Sequence, residues 1–413
     1  MPTAPLETAA RDAFGGTFGG APAVVARAPG RVELLGNHTD YNGGLVLAAA
    51  IDRFTVVAGR AVEAPRARVR SVQFDQEDDF PVAHYEIERG EPGSWHRYVR
   101  GVVWALTEFL GHRGGFEAAV VGDVPLGGGL SSSASLQASL ARFLIASGVV
   151  DDPSVGDPAF QRIKPERADE LLMYLAQALQ HGENDFVGVS SGLLDQFAVL
   201  FGRAGHALML DCATLEFRRL PLGPNPPAIV VCDSRTSRRL ADGMYNQRRE
   251  ECWRVVRFYQ DRRGGEEAVP WLRLVSLDEL KADWDALDPV GRLRARHVLT
   301  ENDRVLKGAR LLKEGDVAGF GRLMSASHAS SRDDFGNSSP ALDALIEAAE
   351  ESPGFLGGKL SGAGWAGCTV NLVTAGQAEA FAASVSEGYA RRTGLTPEIH
   401  VCHAADGASA SRL

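Results

Sequence analysis

Cysteine is scarce in this 413-residue sequence. The five that occur, Cys212, Cys232, Cys252, Cys368 and Cys402, are odd in number and scattered, with no CxxC pair. That excludes a disulfide scaffold or a cysteine-based zinc or redox site, and it points to a reducing, cytoplasmic setting. Long apolar runs are also missing: no segment approaches the roughly 20 residues needed to cross a bilayer, and the opening MPTAPLETAARDAF lacks a cationic stretch followed by an apolar one. A membrane anchor or export is therefore not expected. Positive charge is in deficit, with 43 Lys plus Arg against 53 Asp plus Glu, a net charge of −10. No basic run stands out, which argues against a nucleic-acid partner. Neither a GxxxxGK[ST] loop nor the spacing of a dinucleotide fingerprint occurs, and there is no fixed-period repeat or low-complexity tract.

What is present is ordinary globular material, 45% hydrophobic and 23% charged. The length suits two domains of roughly 200 residues better than one core. A boundary is expected at the glycine-rich break Phe201 to Gly205, giving units 1–204 and 205–413 with a ligand cleft between them. In the first unit the pattern predicts a helix over 5–14, strands at 23–28, 45–51, 54–58 and 116–121, and helices over 95–111, from Ser131 onward, and over 166–184. In the second it predicts strands at 206–210, 228–233 and 369–373. Amphipathic helices are predicted near 241–261, 292–313 and 341–351.

Three segments carry the chemistry. The first, PLGGGLSSSAS at 125–135, follows a strand and runs into a helix start. Gly127, Gly128 and Gly129 permit close backbone approach, and Leu130, Ser131, Ser132 and Ser133 lie where free NH groups and the helix dipole attract an anion. The bland alternative is a Gly-Ser turn with a good helix cap. The second, APGRVELLGNHTDYNGG at 28–44, concentrates Arg31, His38, Asp40 and Tyr41 after a strand, a set suited to a polyol that the amide of Asn42 or backbone groups can complete. The third, GGKLSGAGWAGC at 357–368, is a further glycine-rich turn, weak evidence alone.

Together these segments resemble the three motifs of the GHMP kinases, and in detail those of the galactokinase family. The resemblance runs from Phe14 and Phe18 to Ala404, Asp406 and Gly407. It implies an α+β, two-lobe GHMP kinase fold: an N-terminal mixed α/β lobe with left-handed crossover character, a C-terminal ferredoxin-like lobe, and the active site in the cleft between them. It further implies phosphorylation of the anomeric hydroxyl of a galactose-like sugar, with ATP and Mg²⁺ as the cofactors, in a monomer or weak dimer. By the match GENDFVGVSSGLLDQF, Asp195 is the acid beside the transferred proton and Glu183 a magnesium ligand together with Ser133. Taken without the resemblance, Glu183 is a helix-end residue and Asp195 a helix cap. Arg31 is placed beside Asp195 and the γ-phosphate, Gly364 and Tyr245 beside the sugar, and Trp95 beside the adenine. As a residue alone, Trp95 also reads as core. The segment 237–252 resembles the stretch that carries the sugar-contacting tyrosine, whereas 294–305 and 327–335 receive only structural roles.

Two departures stand out. Trp365-Ala366 replaces the usual Phe-Gly, so Ala366 is expected at negative φ. Asn37 stands where the family signature has a glutamate facing the C6 hydroxyl, which implies altered recognition there. Galactose is the first expectation; L-arabinose, galacturonate or N-acetylgalactosamine, or a non-catalytic sugar sensor on the same scaffold, are the alternatives. Whether Asp195 acts as a true base or by electrostatic stabilisation stays open at this level.

Overall fold

The computed structural model describes residues 4–151, 168–189, 191–236 and 243–413. Its first sheet is built from β1 (Val24–Leu35), β2 (Leu45–Val62), β3 (Arg66–Ser71), β4 (Gln76–Pro81) and β5 (Gly115–Gly122). The later strands β6 (His206–Asp211) and β7 (Phe217–Pro221) join it through β2. A second sheet comprises β8 (Ala228–Asp233), β9 (Phe355–Leu360), β10 (Cys368–Val373) and β11 (Glu398–Cys402), and the last strand, β12 (Ser409–Arg412), returns to pair with β1.

The helices are α1 (Ala4–Phe18), α2 (Trp95–Leu110), α3 (Ser132–Ser147), α4 (Ala168–His181) and α5 (Leu194–Phe201) in the first part of the chain. Those of the second part are α6 (Met244–Arg263), α7 (Leu277–Ala282), α8 (Pro289–Glu314), α9 (Val317–Ser330), α10 (Pro340–Glu350) and α11 (Ala378–Thr393). Start signals are legible in several: Asp288 caps α8 with Pro289 at its first turn, and Ser276 and Glu279 form a reciprocal capping box on α7.

The large sheet has the order β12-β1-β2-β5-β3-β4, antiparallel except for β3 beside β5. The small sheet has the order β11-β8-β10-β9, and its chain path of strand, helices, two strands, helix and strand is that of a ferredoxin-like lobe. The α+β two-lobe expectation therefore holds. Alternation along β8 joins the layers: Ile229 and Val231 pack toward Val32, Leu34 and Leu47 of the large sheet, whereas Val230 and Cys232 pack against Phe381 and Tyr389 of α11. Each such buried side chain contributes about 1.5–3 kcal/mol, so the two sheets meet across a continuous apolar layer.

Some expectations need correction. The lobes do not divide at 204/205, because β6, β7 and β12 hydrogen-bond to the large sheet and the second sheet begins only at β8. The strands expected at 45–51 and 54–58 are one strand: β2 passes the polar pair Asp52-Arg53 at an irregularity in its pairing with β1. The helix expected over 166–184 is α4 followed by a π-helical turn, Gly182–Val187; its first two residues lie outside the described ones, as do residues 241–242 of the helix expected from 241 and 237–242 of the matched segment 237–252.

Candidate active site

A cleft of about 820 Å³ opens where β1, the glycine loop before α3, the turn before α5 and the loop after β9 converge. Arg31, Glu33, Asn37, His38, Asp40, Glu183, Asp195 and Tyr245 line it, together with Trp95, Gly127, Gly129, Leu130, Ser131, Ser132 and Ser133. The residues expected from three distant parts of the sequence thus meet in one place.

The phosphate loop owes its shape to left-handed backbone at Gly127 (φ 73°), Gly129 (φ 72°) and Ser131 (φ 56°). Glycine takes this conformation freely; a serine does so at a cost, and here the surroundings hold it. The hydroxyl of Ser131 donates to Asp195 Oδ2 at 2.6 Å. Arg31 Nε donates to Asp195 Oδ1 at 2.7 Å, and Arg31 Nη1 donates to the carbonyl of Gly129. Asp195, in the first turn of α5, is thereby tied both to β1 and to the loop, with its carboxylate still partly open to the cleft. Ser132 and Ser133 open α3, where amide groups and the helix dipole face the cleft.

Glu183 lies on the π-helical turn, only 5% exposed, and its Oε2 accepts from Ser191 Oγ at 2.9 Å and from Gln196 Nε2. Burial, with Asp195 nearby, pushes its carboxyl up to about 7. A buried carboxyl group with no cationic partner among the described residues, lining the same cleft as Ser133, offers with that hydroxyl a donor set that fits a hard divalent cation completed by phosphate and water oxygens. Asp40 is likewise raised to about 6, by burial first and then by Glu33 and Asp195. Gly192 packs so tightly on it that a Cβ there would sit 2.1 Å from Asp40 Oδ2.

The sugar signature is held from behind by α8 and α9. Buried Glu301 accepts from the backbone NH of Gly36 at 2.9 Å and from Ser327 Oγ at 2.6 Å; burial alone would raise its pKa, but Arg304 and His297 outweigh that and hold it at about 2. His297 Nε2 donates to the carbonyl of Asn37 at 2.9 Å. The matched segments 294–305 and 327–335 therefore act on the site by shaping its first motif. His38 is desolvated to a pKa of about 3 and so is neutral. Its Nε2 sits 3.0 Å from the carbonyl of Ala363, which can only accept, so that nitrogen carries the proton and Nδ1 accepts from Tyr41 Oη at 2.9 Å. Both ring nitrogens are occupied by protein, and the ring packs on Phe335 and Tyr245.

Asn37 lines the cleft with its side chain bonded to protein. Only 1% exposed, it donates through Nδ2 to Glu33 Oε1 (3.1 Å) and to the carbonyl of Gly362 (2.9 Å). Its Oδ1 accepts from Asn337 Nδ2 (2.9 Å) and Ser331 Oγ (3.3 Å). Its amide is consumed by the protein, and the carboxylate it contacts, Glu33, lines the cleft together with Asp40. Glu33 was missed, although it stands two residues after Arg31 on a strand and so shares its face. Gly364 does not itself line the cleft: at φ 92°, a Cβ there would meet the carbonyl of Asn337 at 2.1 Å, so it is needed for close packing, and Gly362 and Ala363 take the lining positions. Gly128 is not among the lining residues, and a Cβ there would point at Cys368 Sγ, 3.0 Å away. Ala366 has negative φ as expected, while its neighbour Trp365 adopts φ 61° with Nε1 donating to the carbonyl of Gly336.

At the opposite end, Trp95 lines the cleft with Nε1 held by Gln76 Oε1 at 2.8 Å, and its ring lies parallel to that of Phe74, centroids 6.1 Å apart. With Tyr98 and Leu126 this makes an apolar wall of the kind a flat heteroaromatic ring fills. Phe74 carries no sequence signal that sets it apart from other aromatics, whereas Tyr98 falls in the stretch WHRYVRGV, which resembles the family pattern Trp-x-Asn-Tyr-Val-Lys-Gly.

Comparison with known proteins agrees with this geometry. The galactokinase galactose-binding signature matches residues 12–61, the GHMP kinase N-terminal domain matches 97–151 and the GHMP kinase C-terminal domain matches 309–391. A galactokinase of Roseiflexus sp. (strain RS-1) is 44% identical over 398 residues, covering 96% of this chain and 95% of the relative. The Homo sapiens galactokinase is 38% identical over 411 residues, covering 98% and 96%. The crystal structure of Lactococcus lactis galactokinase complexed with galactose superposes with a TM-score of 0.86 at 32% identity, over 99% of this chain and 100% of that one. A mevalonate kinase structure, at 17% identity and a TM-score of 0.58 over 92% and 98%, shares the fold.

Proposed function

The chain belongs to the galactokinase family of GHMP kinases, and from that premise we propose that it transfers the γ-phosphoryl group of ATP to the anomeric hydroxyl of galactose, giving galactose 1-phosphate and ADP. The observation that carries this reading is the link Arg31, Asp195, Ser131: the acid that would meet the acceptor hydroxyl is bonded directly into the loop that would cradle the phosphates.

Catalysis of phosphoryl transfer is chiefly alignment and charge compensation. The sugar lies against Asp40, Glu33 and Tyr245 with its C1 hydroxyl at Asp195, and the triphosphate lies along Gly127 to Ser133 with the adenine toward Trp95 and Phe74. As the bond from O1 to the γ-phosphorus forms and the bond to the bridging oxygen breaks, the proton of O1 passes to Asp195 and ADP departs. Arg31, fixed between Asp195 and Gly129, is poised to stabilise negative charge on both the sugar oxygen and the phosphoryl group. Glu183 and Ser133 would hold Mg²⁺, which when bound neutralises charge on the phosphate oxygens. Residues from both lobes of one chain complete the cleft, which supports a monomer or weak dimer as the working unit. Five free cysteines support the cytoplasm as its compartment.

The deciding experiment is ADP release from ATP with galactose by the parent chain and by Asp195→Asn. The parent turns over, and the variant loses about a hundredfold or more in kcat while still binding ATP. A variant with kcat within about threefold of the parent would remove Asp195 from this role.

A further inference from the structure

Glu33 is a buried carboxylate, 6% exposed, whose Oε1 accepts from Lys359 Nζ at 2.7 Å and from Asn37 Nδ2 at 3.1 Å. Lys359 is fully buried on β9. A buried ion pair of this kind is costly to desolvate and is weak evidence for a purely stabilising role. The second oxygen, Oε2, accepts from no group among the described residues, and Glu33 lines the cleft. One oxygen is thus anchored from two sides and the other is left as an acceptor for something that enters.

Position on the strand says which part of the sugar it meets. Arg31 and Glu33 lie on the same face of β1, about 6.6 Å apart along the strand. Arg31 marks the end where phosphoryl transfer takes place, beside Asp195. Glu33 therefore faces the end of the pyranose remote from C1. Asn37, the residue at the signature's carboxylate position, spends its amide on fixing Glu33 and the loop carbonyl of Gly362.

We propose that Glu33, anchored by Lys359 and Asn37, is the specificity-determining carboxylate of this enzyme and accepts a hydrogen bond from the C6 hydroxyl of the sugar. The carboxylate displaced from residue 37 is restored from β1, four residues earlier, so the pocket selects a neutral hydroxymethyl group. This rests on the sugar-kinase reading but is tested separately from it.

Calorimetric Kd values for galactose and for 6-deoxygalactose, which lacks only that hydroxyl, are measured on the parent and on Glu33→Gln. The parent prefers galactose by about tenfold or more, as expected of a hydrogen bond to a charged acceptor. In Glu33→Gln that preference shrinks severalfold, because galactose binding weakens while 6-deoxygalactose binding changes little. Equal weakening of both sugars, or an unchanged preference, overturns the proposal. If Glu33→Gln fails to fold, as a thermal melt would show, Glu33→Asp keeps a charge for Lys359 but withdraws the carboxylate, and must show the same selective loss. ADP release by the parent reports on the kinase reading independently: its absence would sink that reading while the ratio of Kd values still decides the role of Glu33.

Discussion

Asn37 and Glu33 exchange the parts that a sequence signature would assign them. A signature records which residue stands at a position and says nothing about which neighbour points into the cleft. The amide of Asn37 reaches Glu33, Gly362, Ser331 and Asn337, so one side chain joins β1 to the loop after β9 and to the turn after α9. With its amide bonded to protein on both sides, the neutrality of residue 37 no longer argues by itself for galacturonate or arabinose. Asn37→Glu, which would restore the usual signature, is expected to harm this protein. It sets a second carboxylate against Glu33 and removes the donor to Gly362 inside a buried network, a loss of about 3–5 kcal/mol. The urea midpoint of the variant should fall steeply; a variant as stable as the parent would show that the network can rearrange around a carboxylate.

At the scale of elements, much of the site was legible because turns and helix starts have chemistry of their own. The glycine run before α3, the polar turn between β1 and β2, and the acidic pair on either side of residue 190 all announce themselves in one dimension. Contacts between elements did not. Lys359 is one of only five lysines in the chain, embedded in an apolar strand, and that oddity was the one local hint of a buried partner. The start of the π-helical turn Gly182–Val187, residues 182–184, was read as the end of a plain helix, since one extra residue in a turn leaves no mark on hydrophobic periodicity. Its consequence is chemical, because Glu183 on that turn is held by Ser191 and Gln196 against the cleft. If it serves the metal, Glu183→Ala loses activity in a way that recovers partly as Mg²⁺ is raised, an increase in the Mg²⁺ needed for half-maximal rate of about tenfold or more. A defect that is flat across the Mg²⁺ titration assigns Glu183 to the support of α5 alone.

Over the whole molecule, the chain path explains why a boundary drawn from glycines at 201–205 does not separate two lobes. After building the small sheet, the chain returns to the large one: Ala405 NH donates to the carbonyl of Ala50, Gly407 NH to that of Gly202, and β12 pairs residue by residue with Val24 to Arg27 of β1. Arg412 further ties this strand to the carbonyl of Ala146 at the end of α3. β1 is the strand that carries Arg31 and Glu33, but β12 covers only its first four residues, the last of which, Arg27, lies about 13 Å along the strand from Arg31. The last strand should therefore matter to stability and little to chemistry. A chain ending at Ala408 exposes the edge of β1 and loses about four net backbone hydrogen bonds, worth about 2–4 kcal/mol together. Its thermal midpoint should drop by several degrees, while kcat and both KM values, measured well below that midpoint, stay within about twofold of the parent. A large fall in kcat with the fold intact would mean that strain at the start of β1 reaches Arg31, and that the two ends of this strand are mechanically coupled.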